Sequence, residues 1–435
     1  MQYNSLNKQS PAVGFQEALF RGLAPDKGLY FPGNLPHFSE EFWRRLPEQD
    51  PQEIAFQVMK NFVQEELSEK QLRAILAEVL HFDLPLKEID KDLFVLELFH
   101  GPTLAFKDVG ALFMARCLSA LTPNPDTRLT ILVATSGDTG GAVANGFLGV
   151  PGVEVVILYP SGKVSALQEQ QLTTLGQNIT ALEVQGSFDD CQRMVKTAFL
   201  DEEIKSQRLL SSANSINVGR WLPQMLYYIL AVAQFQKKYS YEKAQELIFS
   251  VPSGNYGNIC AGMLAHRMGM PAGHFVAATN ANDVVPRYLS GEDYQPKASV
   301  QTYSNAMDVG DPSNFIRIEE LWGYERNELS QKLSSYAYSD AQTLAAMQHL
   351  HKEFDYLADP HGAIGYLGAR EQQKKSPGKP AVFLETAHAV KFLPVVQKAL
   401  GFEPELSPAL QDLMARPKVS TEISTYEELK AILLA

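Results

Sequence analysis

A single lysine is set among apolar and small residues in the segment LFHGPTLAFKDVGALFMA, residues 98–115. Pro102 suits the first turn of a helix, and a helix would place Lys107 on the same face as Gly110 and Ala111. Burial lowers the pKa of a lysine amine, so such an amine can act as a nucleophile or a base near neutral pH. The pattern therefore predicts a reactive amine beside a small-residue surface that could carry a flat group.

A glycine-rich turn after the apolar run at 247–251 indicates a site for a phosphate group. The turn consists of Ser253, Gly254, Asn255, Tyr256, Gly257 and Asn258. Glycines let the backbone approach a ligand closely, and the helix that follows directs free N–H groups at an anion. The turn has neither the Lys-Ser/Thr pair of a Walker loop nor the G-x-G-x-x-G spacing, and turns of this kind also occur as plain connections.

A second glycine-rich turn lies in the segment ATSGDTGGAVANGF. Its hydroxyls and backbone N–H groups suit a carboxylate or a phosphate, and the hydroxyls belong to Thr135, Ser136 and Thr139. Asp138 is unexpected in such a turn because its charge would repel an anion. Two interpretations stay open: an N-cap for a helix that begins near Gly140, or a hydrogen-bond partner for a hydroxyl of a cofactor.

Further polar residues follow other apolar runs. A second phosphate site is predicted from two positive and two neutral side chains in PSGKVSALQ and SANSINVGRW, namely Lys163, Ser215, Asn217 and Arg220. Each of these residues, taken alone, is also common on protein surfaces. Thr386, in the segment LETAH, could donate a hydrogen bond to a ring nitrogen, whereas the neighbouring His388 is more typical of a structural histidine. The histidines show no metal-binding spacing, and no metal is expected.

A lysine on an apolar face, a glycine-rich phosphate turn and a neutral hydroxyl are together the parts that hold pyridoxal phosphate. The amine would form an imine with the aldehyde of this cofactor, and the cofactor ring would take up electrons from the bound amino acid. Lys107, once released from the aldehyde, would then serve as the base that moves protons.

The elements that must position these residues follow an alternating pattern. Apolar runs rich in Val, Ile and Leu predict buried strands, which alternate with helical patterns, at 129–135, 153–160, 247–251, 274–280 and 381–387. This alternation indicates an α/β fold with a buried parallel sheet, in which ligands bind beyond the carboxyl ends of the strands. Residues 1–92 read as a separate, mixed and partly helical domain. The segment DLPLKEID is predicted to be a linker, and REQQKKSPGKP is predicted to be a solvated loop.

The composition is that of a globular protein without nucleic-acid or membrane partners. The chain has 435 residues, of which 45% are hydrophobic and 20% are charged, and its net charge is −12. An acidic surface repels phosphate backbones, and no apolar run reaches the ~18 residues of a membrane span. The first residues lack the pattern of a signal peptide, and the dispersed cysteines 117, 191 and 260 are expected to be buried and unpaired. We therefore expect a cytoplasmic location.

Several segments together resemble the threonine synthases of the longer bacterial and fungal type. They are GLAPDKGLYFP, ELFHGPTLAFKD, ATSGDTG, SANSIN, SVPSGNYGN and SNAMDVG. The resemblance extends from the first residues to about residue 400, whereas the tail after residue 401 matches less closely and receives no role. It implies fold type II of the pyridoxal-phosphate enzymes, similar to the tryptophan synthase β-subunit: two lobes of parallel sheets wound with helices. It further implies an N-terminal domain at 1–92 and a catalytic region at 93–435, with the smaller lobe within about 129–225.

The resemblance also implies a reaction, the conversion of O-phospho-L-homoserine and water to L-threonine and phosphate by γ-elimination and β-addition. Lys107 would be the imine lysine, the turn 253–258 would hold the cofactor phosphate, Thr386 would meet the pyridine nitrogen, and Asp138 would lie near the phenolic oxygen. Thr135, Ser136 and Thr139 would bind the substrate carboxylate. The substrate phosphate would be bound by Lys163, Ser215, Asn217 and Arg220. Short members of the family commonly carry asparagine at the position of Asp138.

Other functions remain open at this point. A phospho-lyase of the same family would use nearly the same residues to give 2-oxobutanoate, ammonia and phosphate. Dehydratases and cysteine synthases of the fold do not need Lys163 and Arg220, because their substrates lack a phosphate. A phospho-ligand binding protein without turnover would lack the yellow colour of the cofactor. The oligomeric state is not determined by the sequence, and a monomer is favoured.

Overall fold

The computed structural model describes residues 1–63, 65–122 and 129–435. Its strands are β1 (Tyr3–Ser5), β2 (Tyr30–Pro32), β3 (Leu86–Asp90), β4 (Leu93–Glu97), β5 (Leu129–Ala134), β6 (Val153–Pro160), β7 (Ile179–Val184), β8 (Leu209–Ser211), β9 (Ile248–Pro252), β10 (His274–Thr279), β11 (Leu333–Ala337), β12 (Ala381–Glu385) and β13 (Thr421–Ile423).

The strands are separated by helices along most of the chain. The α-helices are α1 (Phe15–Arg21), α2 (Glu40–Arg44), α3 (Pro51–Val63), α4 (Glu69–Val79), α5 (Lys107–Leu121), α6 (Asp138–Phe147), α7 (Ala166–Thr173), α8 (Phe188–Leu200), α9 (Glu202–Gln207), α10 (Val218–Trp221), α11 (Met225–Gln236), α12 (Tyr241–Ala244), α13 (Gly257–Arg267), α14 (Val284–Leu289), α15 (Phe315–Leu321), α16 (Arg326–Lys332), α17 (Asp340–Phe354), α18 (Pro360–Lys375), α19 (Leu393–Leu400), α20 (Pro408–Met414) and α21 (Tyr426–Leu434). Short 3₁₀ helices cover Leu46–Glu48, Leu222–Gln224, Asn305–Met307 and Ala389–Phe392.

The two larger sheets of the described residues are wound with helices, and nearly all of their strand pairs are parallel. One sheet has the strand order β11-β10-β9-β12-β4-β3, and the other has the order β13-β7-β6-β5-β8. Only the edge pair β3 and β4 is antiparallel among the pairs within these sheets. The predicted α/β class is confirmed, and strands such as β5, β9 and β12 are buried at every position because helices cover both faces.

Two segments differ from the sequence-based predictions. The predicted linker at 83–90 contributes strand β3, which pairs with β4 at the edge of a sheet, and its charged residues face solvent there. The predicted loop at 370–380 is helical as far as Lys375, because its Glu, Gln and Lys residues favour helix and its first turn continues the buried face of α18. The loop itself is limited to the residues around Gly378, whose φ is 76°.

The two ends of the chain pack against the two larger sheets and their helices. The N-terminal segment forms the β1–β2 ladder, and its helices α1 and α4 contact α5. The predicted boundary at residue 92 lies in the turn between β3 and β4, where Asp92 has a φ of 56°, and the domain division stays a prediction. The tail after residue 401, to which the sequence assigned no role, adds β13 to the edge of a sheet and packs α21 on α8 and α9.

The cysteine side chains and the apolar character of the helices also bear on expectations from the sequence. The three cysteines are unpaired and buried, as predicted. No helix in the described parts of the chain combines the length and the apolar character that crossing a membrane requires.

Candidate active site

Lys107 and Thr386 are brought together where strand β12 ends. Residues Ala105 and Ala387 form an isolated antiparallel bridge, and the N–H of Phe106 donates to the carbonyl oxygen of Thr386 at 2.8 Å. Thr386 is buried, and its hydroxyl forms no hydrogen bond with any described residue. The amine that starts α5 and the hydroxyl that follows β12 therefore share one edge of the sheet, as the sequence predicts for ligand-binding residues.

The amine of Lys107 is half-buried and has no polar partner within the described residues. Its Nζ lies 5.7 Å from the centre of the Phe106 ring. Burial lowers the pKa of Lys107 to about 8; the Asp138 carboxylate opposes this effect, whereas the charges of Arg220 and Lys391 add to it. A large fraction of this amine is therefore unprotonated at mildly alkaline pH, as a nucleophile must be.

Helix α5 starts later than predicted, and its small residues serve another purpose. Pro102 lies before the helix, and the backbone N–H of Thr103 donates to Asp108 at 2.9 Å to shape the entry into Lys107. A Cβ on Gly110 would come within 2.4 Å of the carbonyl oxygen of Arg220. The surface over Gly110 is thus filled by α10 and does not carry a flat ligand, which corrects the expectation from the sequence.

The turn after β9 offers backbone donors without acceptors. The N–H groups of Gly254, Asn255 and Tyr256 donate to no described residue, and they lie at the N-terminus of α13. Tyr256 has a φ of 61°, a left-handed conformation that turns the chain into the helix. A Cβ on Gly254 would come within 2.6 Å of Cα of Met307, so only glycine fits the close approach there. This arrangement suits a phosphate group.

Side chains of the same turn connect the two sheets. Asn255 donates from Nδ2 to Oγ of Ser215 at 2.8 Å, which links the turn after β9 to the segment after β8. Ser253 instead donates to the carbonyl oxygen of Val251 at 2.8 Å and stabilises the turn itself. The ends of the strands of both sheets therefore meet at this point.

Asn258 has one buried amide group that lacks a partner. Its Oδ1 accepts a hydrogen bond from the hydroxyl of Tyr228 at 2.7 Å, whereas its Nδ2 is buried and donates to nothing. Leaving a buried donor unsatisfied costs free energy, so a bound acceptor is expected nearby. An unpaired amide, free backbone donors, a half-buried amine and an unpaired hydroxyl form the donor set that pyridoxal phosphate requires, and the residues fit this cofactor.

The turn after β5 has two available hydroxyls and one that is already engaged. Oγ1 of Thr135 accepts hydrogen bonds from the N–H groups of Gly137 at 3.0 Å and Gly140 at 2.9 Å, so Thr135 shapes the turn. Ser136 and Thr139 are partly exposed, and their hydroxyls and N–H groups have no described partner. The donors at 136 and 139 are therefore the ones free to meet an anion.

Asp138 does not cap the helix, because α6 begins at Asp138 itself and Gly137 takes the cap position. The carboxylate is buried, and its Oδ1 lies 2.8 Å from Nζ of Lys391 and accepts a hydrogen bond from Nε2 of Gln168 at 2.9 Å. Burial acts to raise the pKa of Asp138, but the charges of Lys391 and Lys107 hold it well below its usual range. The N-cap interpretation is thus wrong, and Asp138 is an ionised group beside Lys107.

The four residues of the predicted second phosphate site differ in their surroundings. Arg220 is buried without a carboxylate partner among the described residues, its Nε is unpartnered, and burial lowers its pKa to about 10. Asn217 is fully engaged, since it caps α10 and donates to the carbonyl oxygen of Leu19 at 2.8 Å. Lys163 is exposed in the turn after β6, and no contact of the described chain links it to Arg220.

Some residues that shape the site were missed by the sequence analysis. Lys391 and Gln168 hold Asp138, while Asn314 donates to Ser215 and Arg317 donates to the carbonyl oxygens of Ser215 and Ile216. The lysine lies one turn beyond the LETAH segment and could have been suspected from the unexplained charge of Asp138. The asparagine and the arginine give no local signal, because Ser215 and Ile216 lie about 100 positions away in sequence.

Family models match the whole length of the chain. The model described as pyridoxal-phosphate dependent enzyme matches residues 78–387. The models of the threonine synthase N terminus and C-terminal region match residues 2–79 and 362–433. The C-terminal match includes the tail that the sequence analysis had set apart.

Relatives of similar length carry the same name. A threonine synthase from Serratia marcescens is 43% identical over 435 residues, which cover 100% of this chain and 99% of that protein. A threonine synthase from Escherichia coli K12 is 42% identical over 97% of this chain and 96% of its own length.

Solved structures agree with this relationship. Threonine synthase from Escherichia coli superposes with a TM-score of 0.92 at 41% identity and covers 100% of this chain and 99% of its own. A threonine synthase from Brucella melitensis with bound pyridoxal phosphate has a TM-score of 0.92 at 36% identity, with 100% and 98% coverage. Since the matches extend from the first strand to the last helix, the chain belongs to the threonine synthase family of pyridoxal-phosphate-dependent enzymes.

Proposed function

We propose that this chain converts O-phospho-L-homoserine and water to L-threonine and phosphate with pyridoxal phosphate as cofactor. The observation that carries this proposal is the half-buried amine of Lys107, whose lowered pKa and lack of partners suit a group that bonds to an aldehyde. The neighbouring Phe106 donates its backbone N–H to the carbonyl oxygen of Thr386, whose hydroxyl has no partner among the described residues.

Cofactor binding would use groups from both the turn and the strand end. The N–H groups of residues 254–257 and Nδ2 of Asn258 would hold the phosphate, and the hydroxyl of Thr386 would contact the ring nitrogen. When bound, the cofactor supplies an aldehyde that links to amines and a ring that accepts electrons from the substrate. Because Thr386 offers a neutral hydroxyl rather than a carboxylate, it would not favour a proton on the ring nitrogen and would moderate the electron acceptance of the ring.

Substrate binding would use the turn after β5 and the segment after β8. The N–H and hydroxyl groups of Ser136 and Thr139, which have no partner among the described residues, would bind the carboxylate, and Thr135 would support them from within the turn. The Arg220 guanidinium, buried and without a carboxylate, would bind the substrate phosphate together with Ser215. Asn217 would hold the segment in shape, and the exposed Lys163 would approach from the solvent side.

Lys107 would also move the protons. In its unprotonated form it would take the proton from the α-carbon of the substrate, and its pKa near 8 keeps this form accessible at neutral pH. A proton would then leave the β-carbon, the phosphate would leave the γ-carbon with its bonding electrons, and the same amine would return a proton to the γ-carbon. Water would add at the β-carbon, and closure of the site would limit competing reactions of water.

The test compares the products formed from O-phospho-L-homoserine. We expect L-threonine and phosphate in equal amounts, with 2-oxobutanoate as a minor product, because the relatives with this name at 42–43% identity favour the synthase over the phospho-lyase. Lys107→Ala should abolish turnover, whereas Lys237→Ala, at an exposed lysine directly after the end of α11, serves as the control. Formation of 2-oxobutanoate as the main product would contradict the proposal.

A further inference from the structure

A second lysine, Lys391, pairs with the carboxylate of Asp138 in the turn after β5. Lys391 lies in the 3₁₀ helix Ala389–Phe392 after β12, and its side chain is fully buried. Its Nζ lies 2.8 Å from Oδ1 of Asp138 and donates to the carbonyl oxygen of Thr103 at 2.7 Å. One buried ammonium group therefore ties the end of one sheet to the turn after β5 in the other sheet and to the segment that leads into Lys107.

The position of Asp138 is fixed from another side by α7. Gln168 donates from Nε2 to the same Oδ1 at 2.9 Å, and Gln168 is itself held in a capping box with Ser165. Its carboxamide packs so closely on Gly137 that a Cβ there would lie within 2.5 Å of the amide nitrogen. The described residues donate no hydrogen bond to Oδ2 of Asp138, so this oxygen remains available to a ligand.

We propose that Lys391 is a positioning residue of the reaction, which holds Asp138 in place and offsets its charge. This pairing allows a carboxylate to lie beside Lys107 in a turn that binds anions. This inference deepens the proposed function and rests on it. Without Lys391, the carboxylate would be a buried, unpaired charge that repels the substrate carboxylate. With Lys391, the pair is neutral overall, and the N–H groups of Ser136 and Thr139 keep their attraction for an anion.

The charges around Lys107 make the proposal testable by spectroscopy. The groups that act on the Lys107 amine are Asp138, which favours its protonated form, and Arg220 and Lys391, which disfavour it. Asp108 is the other carboxylate that Lys391 acts on, and it is held by Thr103. Removing Lys391 and removing the charge of Asp138 should therefore shift the titration of Lys107 in opposite directions.

The experiment titrates the visible absorption of the cofactor bound to Lys107 in the holoenzyme, from acidic to alkaline pH. Lys391→Met should raise the pKa of the lysine–cofactor linkage by about 1 unit, and Asp138→Asn should lower it by about 1 unit. The double variant should return close to the parent. Lys391→Arg keeps the charge and should also stay close to the parent, which protects the test if Lys391→Met folds poorly.

A second measurement uses the apoprotein, so that pairing is tested without the cofactor. The melting temperature should fall in Lys391→Met and in Asp138→Asn, and the double variant should lose less than the sum of the two, because neither charge is left unpaired. An additive loss would overturn the pairing. A second result would overturn the positioning role: the melting temperatures show pairing, but the pKa of the lysine–cofactor linkage shifts in the same direction in Lys391→Met and Asp138→Asn, or does not shift in either. The pair would then have a structural role only. A parent holoenzyme without a lysine-linked absorption band would refute the proposed function itself, and the positioning role with it.

Discussion

Two buried cations at the site, Arg220 and Lys391, have different partners. Lys391 pairs with the carboxylate of Asp138, whereas Arg220 donates to the carbonyl oxygen of Ala213 and, within the part of the chain that the structure describes, has no carboxylate partner and no partner for its Nε. A buried guanidinium without a counter-ion is costly, and the binding of a phosphate dianion would remove that cost. At the scale of single residues, Arg220 is therefore the strongest candidate for the substrate phosphate.

Replacement of Arg220 tests this assignment. Arg220→Gln should lower kcat/KM for O-phospho-L-homoserine by about 100-fold or more, because a charge-assisted hydrogen bond contributes about 1.5–3 kcal/mol and a buried one sits at the upper end. Lys163→Gln, at an exposed position, should lower it by less than about 10-fold. Steady-state kinetics of both purified variants give the comparison, and equal losses in the two would contradict the assignment.

At this scale, the sequence points to candidate residues only where they lie in a recognisable motif. Lys107, Thr386 and Ser136 stay predictions of this kind, because each follows a strand or starts a helix. Asp138 was ambiguous, since its partner Lys391 lies 253 positions away and pairs with it only through the contact of two sheets.

At the scale of elements, the candidate site depends on turns of restricted conformation that follow the strands. In the turn after β9, Gly254 lies against Met307 and Tyr256 adopts a left-handed conformation, and the N–H groups of the turn have no acceptor among the described residues. This close packing is invisible in the sequence, because Met307 is brought there by the 3₁₀ helix at 305–307.

A methyl group at Gly254 should open this turn. Gly254→Ala places a Cβ within 2.6 Å of Cα of Met307, so the backbone must shift and the N–H groups of the turn must move with it. We expect the dissociation constant of pyridoxal phosphate, measured by fluorescence quenching of the apoprotein, to rise by about 10-fold or more. Gly257→Ala is the matched comparison, since its nearest contact would be an ordinary 3.4 Å, and the effect there should be smaller. The reverse order would contradict the account of the turn.

The end of β12 carries a carboxyl group whose pKa is strongly raised. Glu385 is fully buried beside Asp359, whose N–H donates to it at 2.5 Å. Burial raises the pKa of Glu385 well above its usual value, and the charges of Asp359 and Glu97 raise it further. A group whose folded pKa exceeds its unfolded value loses its stabilising contribution as pH rises through the folded pKa.

Glu385→Gln should remove this pH dependence. The parent should lose free energy of unfolding as the pH rises from the unfolded glutamate pKa, about 4.3, towards the raised folded pKa, whereas the glutamine variant should lose less over the same range. Urea unfolding of the two apoproteins at several pH values measures the difference. An identical pH profile in both would show that Glu385 is ionised in the folded protein at neutral pH.

At the scale of the whole molecule, the C-terminal tail completes the smaller of the two parallel sheets. The tail adds β13 beside β7 and buries Leu429 and Leu433 in the cluster formed by the smaller parallel sheet and its helices. Lys430 pairs with Asp201 at 2.9 Å from the same helix. This packing could not be predicted from the sequence, since a three-residue strand has too little pattern to be recognised before its partner strand is known.

A cavity in the tail helix should therefore destabilise the whole lobe. Leu429→Ala should lower the free energy of unfolding by about 2–5 kcal/mol, the range for a fully buried leucine. Leu200→Ala, at a side chain that is 65% exposed, should change it by less than about 1 kcal/mol. Chemical denaturation of both variants decides the point, and a negligible effect at Leu429 would mean that the tail does not contribute to the fold.

The central claim, that the amine of Lys107 carries the cofactor, is tested most directly by borohydride reduction of the holoenzyme followed by peptide mapping. The account predicts that the phosphopyridoxyl group is found on the peptide that contains Lys107. Its recovery on another lysine, such as Lys391, or its absence from every peptide, would contradict it.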